Sequence, residues 1–425
     1  MATDVHRLIM QEEDRKFDVA IIGAGPAGMM AAMQSARSGL RVVLIEKNSK
    51  PGKKLLLTGG GRCNLTNAEF NLKNLVSNYN NGEFLFYAFS EFGPKQTMEF
   101  FNNLEIKTKT EAGNRVFPAS DSANEILQAL KKELVKNKVK ILYNSEVKDI
   151  KIKENKITKI ILQNGEILAN KYILATGGKS YPQTGSDGFG FKLAEKLGHK
   201  IIKPMPAVSP IRINNNWVKN LQGISLKNIK LNVFASDSPS RKASAGEDGE
   251  IIFTHFGISG PAALNISGKV GELLEKGAVK ISLDLFPEMN QEEVLKNFEE
   301  MLQKYLKQSI KNILCEIAPE RFVEVLLEIV KIDKNKIANN MSKIEKNLIV
   351  KILKNFEMTA EDLMGFNGAM LTRGGIFLKE INHKTMQSKI IDNLFFAGEI
   401  INADGKTGGF NLQMCWSTGF IAGQL

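Results

Sequence analysis

Gly23-Ala24-Gly25-Pro26-Ala27-Gly28 carries the G-x-G-x-x-G spacing that lets backbone lie against a pyrophosphate. Alone, that spacing says little. Here it follows an apolar run of strand type, Phe17 to Ile22, opens a helical stretch from Met29 to Ser38, and precedes a second apolar run, Val42 to Ile45, that ends on Glu46. Strand, glycine turn, helix, strand and acid in that order make a βαβ dinucleotide site. Gly23 suits the tight turn off the strand, Gly25 leaves room for the pyrophosphate, and Gly28 lets the helix pack close to the sheet. The helix N-terminus adds unpaired N–H groups and partial positive charge. Glu46 stands 18 residues past Gly28. At the end of the second strand its carboxylate can accept hydrogen bonds from both ribose hydroxyls of an adenosine, and it repels a 2′-phosphate.

The other reactive side chains are few. Cys63, Cys315 and Cys415 are widely separated and form no C-x-x-C, which excludes a disulfide scaffold, a zinc ribbon or a thioredoxin-type site and fits a reducing cytoplasm. No second cysteine lies near Cys63 in its loop, so disulfide-reductase chemistry is excluded too. Cys63 could donate a proton beside a bound cofactor or pack there as a small, soft residue. Of the histidines, His6 lies in the N-terminal tail, His199 follows a helix end at Gly198 and suits a cap, and His383 stands apart. His255 precedes a turn bounded by Gly257 and Gly260, and a titrating imidazole there suits proton delivery. Tyr181 and Arg373, each close to a glycine, are weaker candidates for contact with a cofactor or neighbouring backbone. No spacing of His, Cys and Asp makes a metal site.

Alternating segments hold these groups in place. A helix is expected near Pro94 to Leu104, strands within Glu105 to Phe117, and a helix near Ser122 to Lys136. Val139 to Leu142, Val147 to Ile152 and Ile157 to Leu162 read as strands, with Asn164-Gly165 as a two-residue hairpin turn. Tyr172 to Ala175 reads as a buried strand ending in Thr176-Gly177-Gly178. From about Lys203 the texture changes to Pro204, Pro206 and Pro210, then to strand-like stretches around Ile224 to Phe234 and Glu250 to Phe253, then to long amphipathic helices from Gln291 to Phe356. Past Thr359 the glycine-rich texture returns, with a strand at Leu394 to Ala397, a loop from Gly398 to Gly409 and a helix from Phe410 to Ala422.

The expected architecture is α/β: a discontinuous nucleotide domain over 17–202 and 359–425, interrupted by an inserted domain over 203–358. The insert divides into a β-rich part, 203–287, and a helical part, 288–358, and 1–16 reads as a loose extension. A chain of 425 residues suits two or three domains, and 43% hydrophobic with 24% charged residues excludes global disorder. No apolar run reaches the roughly 18 to 20 residues of a membrane span, and the N-terminus lacks the apolar stretch of a secretory signal, so a soluble cytoplasmic protein is expected. Net charge is +11. The surplus is local: Lys131 to Ile160 holds ten Lys against four acids, whereas Glu288 to Phe356 balances twelve basic against eleven acidic residues.

Four stretches resemble flavoproteins of the two-dinucleotide-binding-domain type, and more closely the aminoacetone-oxidase-like FAD-binding family. They are Asp18 to Gly28, Lys53 to Asn67 (KKLLLTGGGRCNLTN), Ala175 to Gly190 and Phe396 to Gln413, while His255 to Pro261 resembles that family's inserted domain. The resemblance implies a Rossmann-like FAD-binding domain. It also implies cofactor contacts at Gly23, Ala24, Gly25, Ala27, Gly28, Glu46, Lys47, Lys53, Thr58, Gly61, Arg62, Cys63, Asn64, Val147, Thr176, Gly177, Gly178, Gly398, Glu399, Gly408, Gly409, Phe410 and Asn411. Val147 resembles the strand residue whose backbone pairs with the adenine, Glu399 the acid at a ribityl hydroxyl, and Gly408 to Asn411 the helix start facing the flavin N1/C2 edge. Arg62 is expected at phosphate or flavin carbonyl, and Asn64 as a hydrogen-bonding partner. Met414-Cys415 departs from the Trp-Ala frequent in relatives.

These residues point to an FAD-dependent oxidoreductase that passes a hydride through flavin N5 to or from an unsaturated or amine-type substrate, with His255 and Cys63 as candidate proton donors. A second fingerprint is absent, so NAD(P)H would visit transiently, or O2 would serve as the second partner. The insert is expected to close over the flavin and supply substrate contacts. Ribosomal RNA is an alternative substrate, suggested by the Lys-rich segment but without an aromatic-interleaved RNA-binding stretch. A non-catalytic flavin-binding protein, docking through the helices of Gln291 to Phe356, is the third class. No membrane or metal partner is expected.

Overall fold

The computed structural model describes residues 16–235 and 243–425. Apart from Lys16, the expected N-terminal extension lies outside the described residues, as does His6. The chain forms two compact units, one from the chain up to Met205 together with Leu371–Leu425, the other from Pro206–Met370.

The first unit is built on a sheet whose order is Lys140–Leu142, Val42–Ile45, Lys16–Ile22, Gly165–Leu174, Lys156–Leu162 and Val147–Lys153, with Leu394–Phe396 also paired to Gly165–Leu174. The pairings among Lys140–Leu142, Val42–Ile45, Lys16–Ile22, the end of Gly165–Leu174 and Leu394–Phe396 are parallel. Val19 to Ile22, Val42 to Ile45, Tyr172 to Leu174 and Leu394 to Phe396 are buried without alternation, as strands covered on both faces must be. The remaining strands run antiparallel and extend one edge. Glu154 and Asn155, at φ +50° and +58°, turn Val147–Lys153 back into Lys156–Leu162, the backbone that a two-residue hairpin loop demands. In the next hairpin Gly165 pairs with Leu162, so the loop residues are Gln163 and Asn164, one position earlier than Asn164-Gly165. Gly165 instead opens a long strand running through Leu174, of which the sequence showed only the buried end.

The terminal helix, Phe410–Gly423, lies against the helix Pro26–Arg37 at a spacing that only glycine permits. A Cβ on Gly419 would stand 2.4 Å from the Ala27 carbonyl oxygen, and one on Gly423 2.6 Å from that of Ala31.

The second unit holds a closed barrel of the order Ile211–Ile213, Gly257–Ser259, Ala245–Phe253, Ser225–Ala235, Val279–Asp284 and Phe356–Leu363. Leu231, Val233, Ile281, Leu283 and Phe253 fill its core, and Phe322, from the helix Glu320–Val330, packs with its ring tilted against that of Phe356, 4.9 Å between centroids. Asn290 with Glu293 and Ser342 with Glu345 form capping boxes on Gln291–Lys304 and Lys343–Lys354. The expected return to the nucleotide domain at 359 is therefore too early. Phe356–Leu363 pairs with both Ile211–Ile213 and Val279–Asp284 and closes the barrel, and the chain rejoins the first unit at Leu371. Among the described residues no helix is long and apolar enough to cross a membrane.

Gly419→Ala should push a methyl into the Ala27 carbonyl and destabilise the first unit by about 1 to 3 kcal/mol. Denaturant unfolding of the cofactor-free protein measures it, and an unchanged midpoint would show that the helix pair has room to spare.

Candidate cofactor site

Three parallel strands end side by side, Ile22 opposite Leu174 and Leu174 opposite Phe396. The turns that follow them, at Gly23, Ala175 and Ala397, border one cleft. Gly23, at φ +103°, sits so close to the neighbouring strand end that a Cβ would stand 2.5 Å from the Ala175 carbonyl oxygen. Gly28 abuts Gly23 itself, its Cβ position 1.9 Å from that carbonyl oxygen. Gly25 differs: a Cβ there meets nothing within 4 Å, so its missing side chain leaves open space facing the cleft. Beside it the first-turn N–H groups of Pro26–Arg37 have no acceptor within the helix.

Glu46 is buried on the wall of this cleft. Its Oε2 accepts the Ala24 N–H at 3.0 Å, and its Oε1 accepts the Asn48 N–H at 2.8 Å and the Asn48 amide at 2.7 Å. Three of about four acceptor positions are thus filled. That corrects the expected grip on both ribose hydroxyls: one position, on Oε2, remains. Lys53 Nζ donates to Asn48 Oδ1 at 2.8 Å, and Lys47 pairs with Asp187 at 2.7 Å. Val147 lines the cleft, and so do Thr176 and Gly177. The Thr176 hydroxyl is buried without a hydrogen-bond partner, a donor left over by the fold.

Glu399, also buried, lies at the far wall. Lys54 Nζ donates to its Oε2 at 2.7 Å, and the Ser180 hydroxyl at 3.0 Å and the Thr372 N–H at 2.8 Å donate to its Oε1. Gly178 stands behind this cluster rather than on the cleft, since a Cβ would come within 2.8 Å of Glu399 Oε1 and 2.4 Å of Thr372 Oγ1. Lys54, Ser180 and Thr372 escaped the sequence reading. Lys54 is the second of two adjacent lysines, and nothing in its spacing distinguishes it from Lys53. Gly398 donates its N–H to Thr418 Oγ1 at 2.9 Å, and Cys415, the departure from the family pattern, lines the cleft beside it. Desolvation pushes the Cys415 thiol up to about 12.

Several expected contacts are used elsewhere by the fold. Arg62 does not line the cleft: its guanidinium pairs with Glu111 and Asp121 and stacks 4.0 Å over the Phe117 ring, tying the Gly59–Gly61 turn to the strands Thr108–Glu111 and Arg115–Pro118. The amide of Asn64, oriented by its surroundings with nitrogen toward the Thr66 and Val116 carbonyls, accepts the Gly409 N–H at 3.0 Å. The Asn411 side chain bonds Gly405 and Lys406, and the Phe410 carbonyl accepts the Tyr79 hydroxyl at 2.6 Å. Thr58, Gly61, Gly408 and Gly409 likewise fall outside the cleft lining, and Arg373 bonds Asp404 at 2.9 Å.

Cys63 is fully buried at φ +62°, and burial pushes its thiol up to about 12. The thiol therefore stays protonated near neutral pH, and Cys63 does not line the cleft. His199 is also buried, with Nδ1 3.2 Å from Glu380 and Nε2 2.9 Å from Ser388, and burial lowers its pKa. His255 belongs to the second unit, exposed between Ala245–Phe253 and Gly257–Ser259 with its ring edge-on to Phe256. Iodoacetamide at pH 8 should alkylate exposed Cys315 in the native protein and leave Cys63 unmodified until the chain unfolds. Peptide mapping reads this, and early modification of Cys63 would contradict its burial.

The chain matches the family described as HI0933-like protein Rossmann domain over residues 17–425. It is 32% identical over 412 residues to a 3-dehydro-bile acid delta(4,6)-reductase of Clostridium scindens, covering 96% of this chain and 98% of that one. To ribosomal RNA dihydrouridine synthases it is 29% identical in Escherichia coli, over 96% of this chain and 98% of that one, and 31% identical in Haemophilus influenzae, over 94% and 96%. Among solved structures, a quinol-fumarate reductase with menaquinol aligns over 96% of this chain and 70% of its own at TM-score 0.50 and 16% identity, a likeness of fold. The family match spans both units and the whole cleft, and the chain belongs to the HI0933-like Rossmann family, as an FAD-binding oxidoreductase.

Proposed function

We propose that this enzyme reduces a carbon–carbon double bond conjugated to a carbonyl group, with NAD(P)H as the electron donor. The observation that carries this reading is the chemistry shared by its full-length relatives. A delta(4,6)-reductase of a 3-dehydro steroid acid and a synthase of dihydrouridine both saturate a C=C bond in conjugation with C=O. In such a step hydride adds to the β-carbon, a proton adds to the α-carbon, and one NAD(P)H is oxidised per double bond.

The cleft fits FAD, through the open face of Gly25 and the free N–H groups of the first helical turn. Bound there, FAD supplies a two-electron carrier between donor and substrate. The helix N-terminus and Lys53 would meet the negative charge of the pyrophosphate, and Glu46 Oε2 would accept one ribose hydroxyl. Glu399 offers its remaining acceptor position to the ribityl chain. The first-turn N–H groups of Phe410–Gly423 have no acceptor in the helix and, although they lie outside the cleft lining, would suit negative charge on a reduced ring that extends beyond it. His255 is the group proposed to deliver the proton.

Ribosomal RNA as the substrate is the second reading, favoured by the two dihydrouridine synthases and by the +11 charge. Anaerobic mixing of the yellow protein with NADH or NADPH should bleach the flavin. An unsaturated 3-keto steroid should then restore the colour, or unmodified ribosomal RNA should do so under the second reading. Bleaching by an amine with no nicotinamide present would replace both readings with amine oxidation. His255→Ala should leave bleaching intact and slow reoxidation by substrate roughly 10² to 10⁴-fold. Reoxidation at the wild-type rate between pH 6 and 8 would assign the proton to another group.

A further inference from the structure

The charged groups on the cleft wall are not equivalent. Lys47 is spent on Asp187, and Lys53 donates to the neutral Asn48 amide and keeps its charge available to a phosphate. Lys54 faces inward. Its side chain is about four-fifths buried, and its ammonium donates to both Glu399 Oε2 at 2.7 Å and the Ser180 hydroxyl at 2.6 Å. The Ser180 hydroxyl in turn donates to Glu399 Oε1, closing a ring of three side chains. Thr372 completes the arrangement, because its N–H donates to Glu399 while its hydroxyl accepts the N–H groups of Lys179 and Ser180 at 2.7 and 3.1 Å. Four stretches of chain, around residues 54, 180, 372 and 399, therefore converge on one carboxylate that lines the cofactor cleft. Among the described side chains, Lys54 provides the cation of the ion pair at Glu399.

We propose that Lys54 is a positioning residue for FAD. Its ammonium fixes the Glu399 carboxylate in one orientation and joins it to the loop around Ser180, so that this wall of the cleft is assembled before the cofactor enters. Without it, a buried carboxylate would face an incoming dinucleotide diphosphate with its charge unpaired, and the two anions would repel. The proposal rests on FAD as the cofactor and is independent of the substrate.

The test is the dissociation constant of FAD for cofactor-free protein, read by quenching of flavin fluorescence, in Lys54→Met, Lys54→Arg, Glu399→Gln and the double variant Lys54→Met/Glu399→Gln. Lys54→Met should weaken FAD binding roughly ten- to a hundredfold. Lys54→Arg should restore most of it, and adding Glu399→Gln to Lys54→Met should recover affinity, because the unpaired charge is then gone. Wild-type affinity in Lys54→Met overturns the proposal, and so do losses that simply multiply in the double variant or an Arg variant as weak as the Met variant. Where Lys54→Met gives no folded cofactor-free protein, Lys54→Gln purified with FAD gives the same decision from its rate of FAD release. Faster release than wild type supports the role, and equal release overturns it. Failure of the wild-type protein to bind FAD at all would instead remove the cofactor assignment.

Discussion

The parallel pairing of Leu394–Phe396 with Tyr172–Leu174 is the constraint on which the cofactor site depends. A chain that leaves its first domain at residue 205 and returns at 371 gains a single nucleotide unit only if the returning strand docks in register. Because the pairing is parallel, Phe396 ends level with Leu174, and Leu174 ends level with Ile22. Three turns separated by some 150 to 370 residues in sequence are thereby brought to one edge of the sheet, where ligands of open α/β sheets bind. A slip by one residue would exchange the two faces of Leu394 to Phe396, each packed for different neighbours, and carry Gly398 and Glu399 out of reach of Lys54 and Ser180.

How much of this could be read beforehand follows from what sequence can encode locally. The Gly23 to Gly28 turn was legible because each glycine answers a local need, and Gly23, Gly25 and Gly28 meet their expected roles of turn, open face and close approach. The terminal helix was legible from its glycine start and apolar length. Arg62 was misread because a cation beside three glycines suggests a phosphate, while its acidic partners Glu111 and Asp121 lie some 50 to 60 residues away in sequence. Thr372 carried no signal whatever, since its value lies in a backbone N–H and a hydroxyl placed by tertiary structure. Phe356–Leu363 was missed as a barrel strand because it follows directly on a helix and its inward set, Phe356, Met358, Ala360 and Leu363, is broken by one irregular step.

Two buried carboxylates in the cleft proposed for FAD call for an electrostatic explanation. Glu46 and Glu399 resolve it differently. Glu46 is met by one backbone N–H from the glycine turn and two donors from Asn48, dipoles without net charge, and Lys53 stands behind Asn48. Glu399 is met by a full cation in Lys54 together with a hydroxyl and an N–H. The first arrangement leaves the carboxylate its negative charge and one acceptor position on Oε2, which suits a single ribose hydroxyl and disfavours a phosphate. The second neutralises charge within the wall, so that the acid can act as a hydrogen-bond acceptor without adding to the repulsion.

The same distinction between charge and available charge governs the basic surface. The Lys-rich stretch from Lys131 to Lys159 gives a large part of the +11 surplus in sequence. In the fold, Lys148 meets Glu146 at 2.5 Å, Lys151 meets Asp149 at 2.8 Å and Lys159 meets Glu166 at 2.7 Å, so much of the hairpin is locally compensated. Asp149 is shared further with Lys196 at 2.5 Å, and its two lysines hold its carboxyl well below the usual range. Exposed pairs of this kind are weak and screened by salt, so they yield readily to a phosphate that offers a better geometry. A nucleic acid drawn to this face would have to displace those carboxylates first, and its attraction would reflect the net surplus rather than the count of lysines.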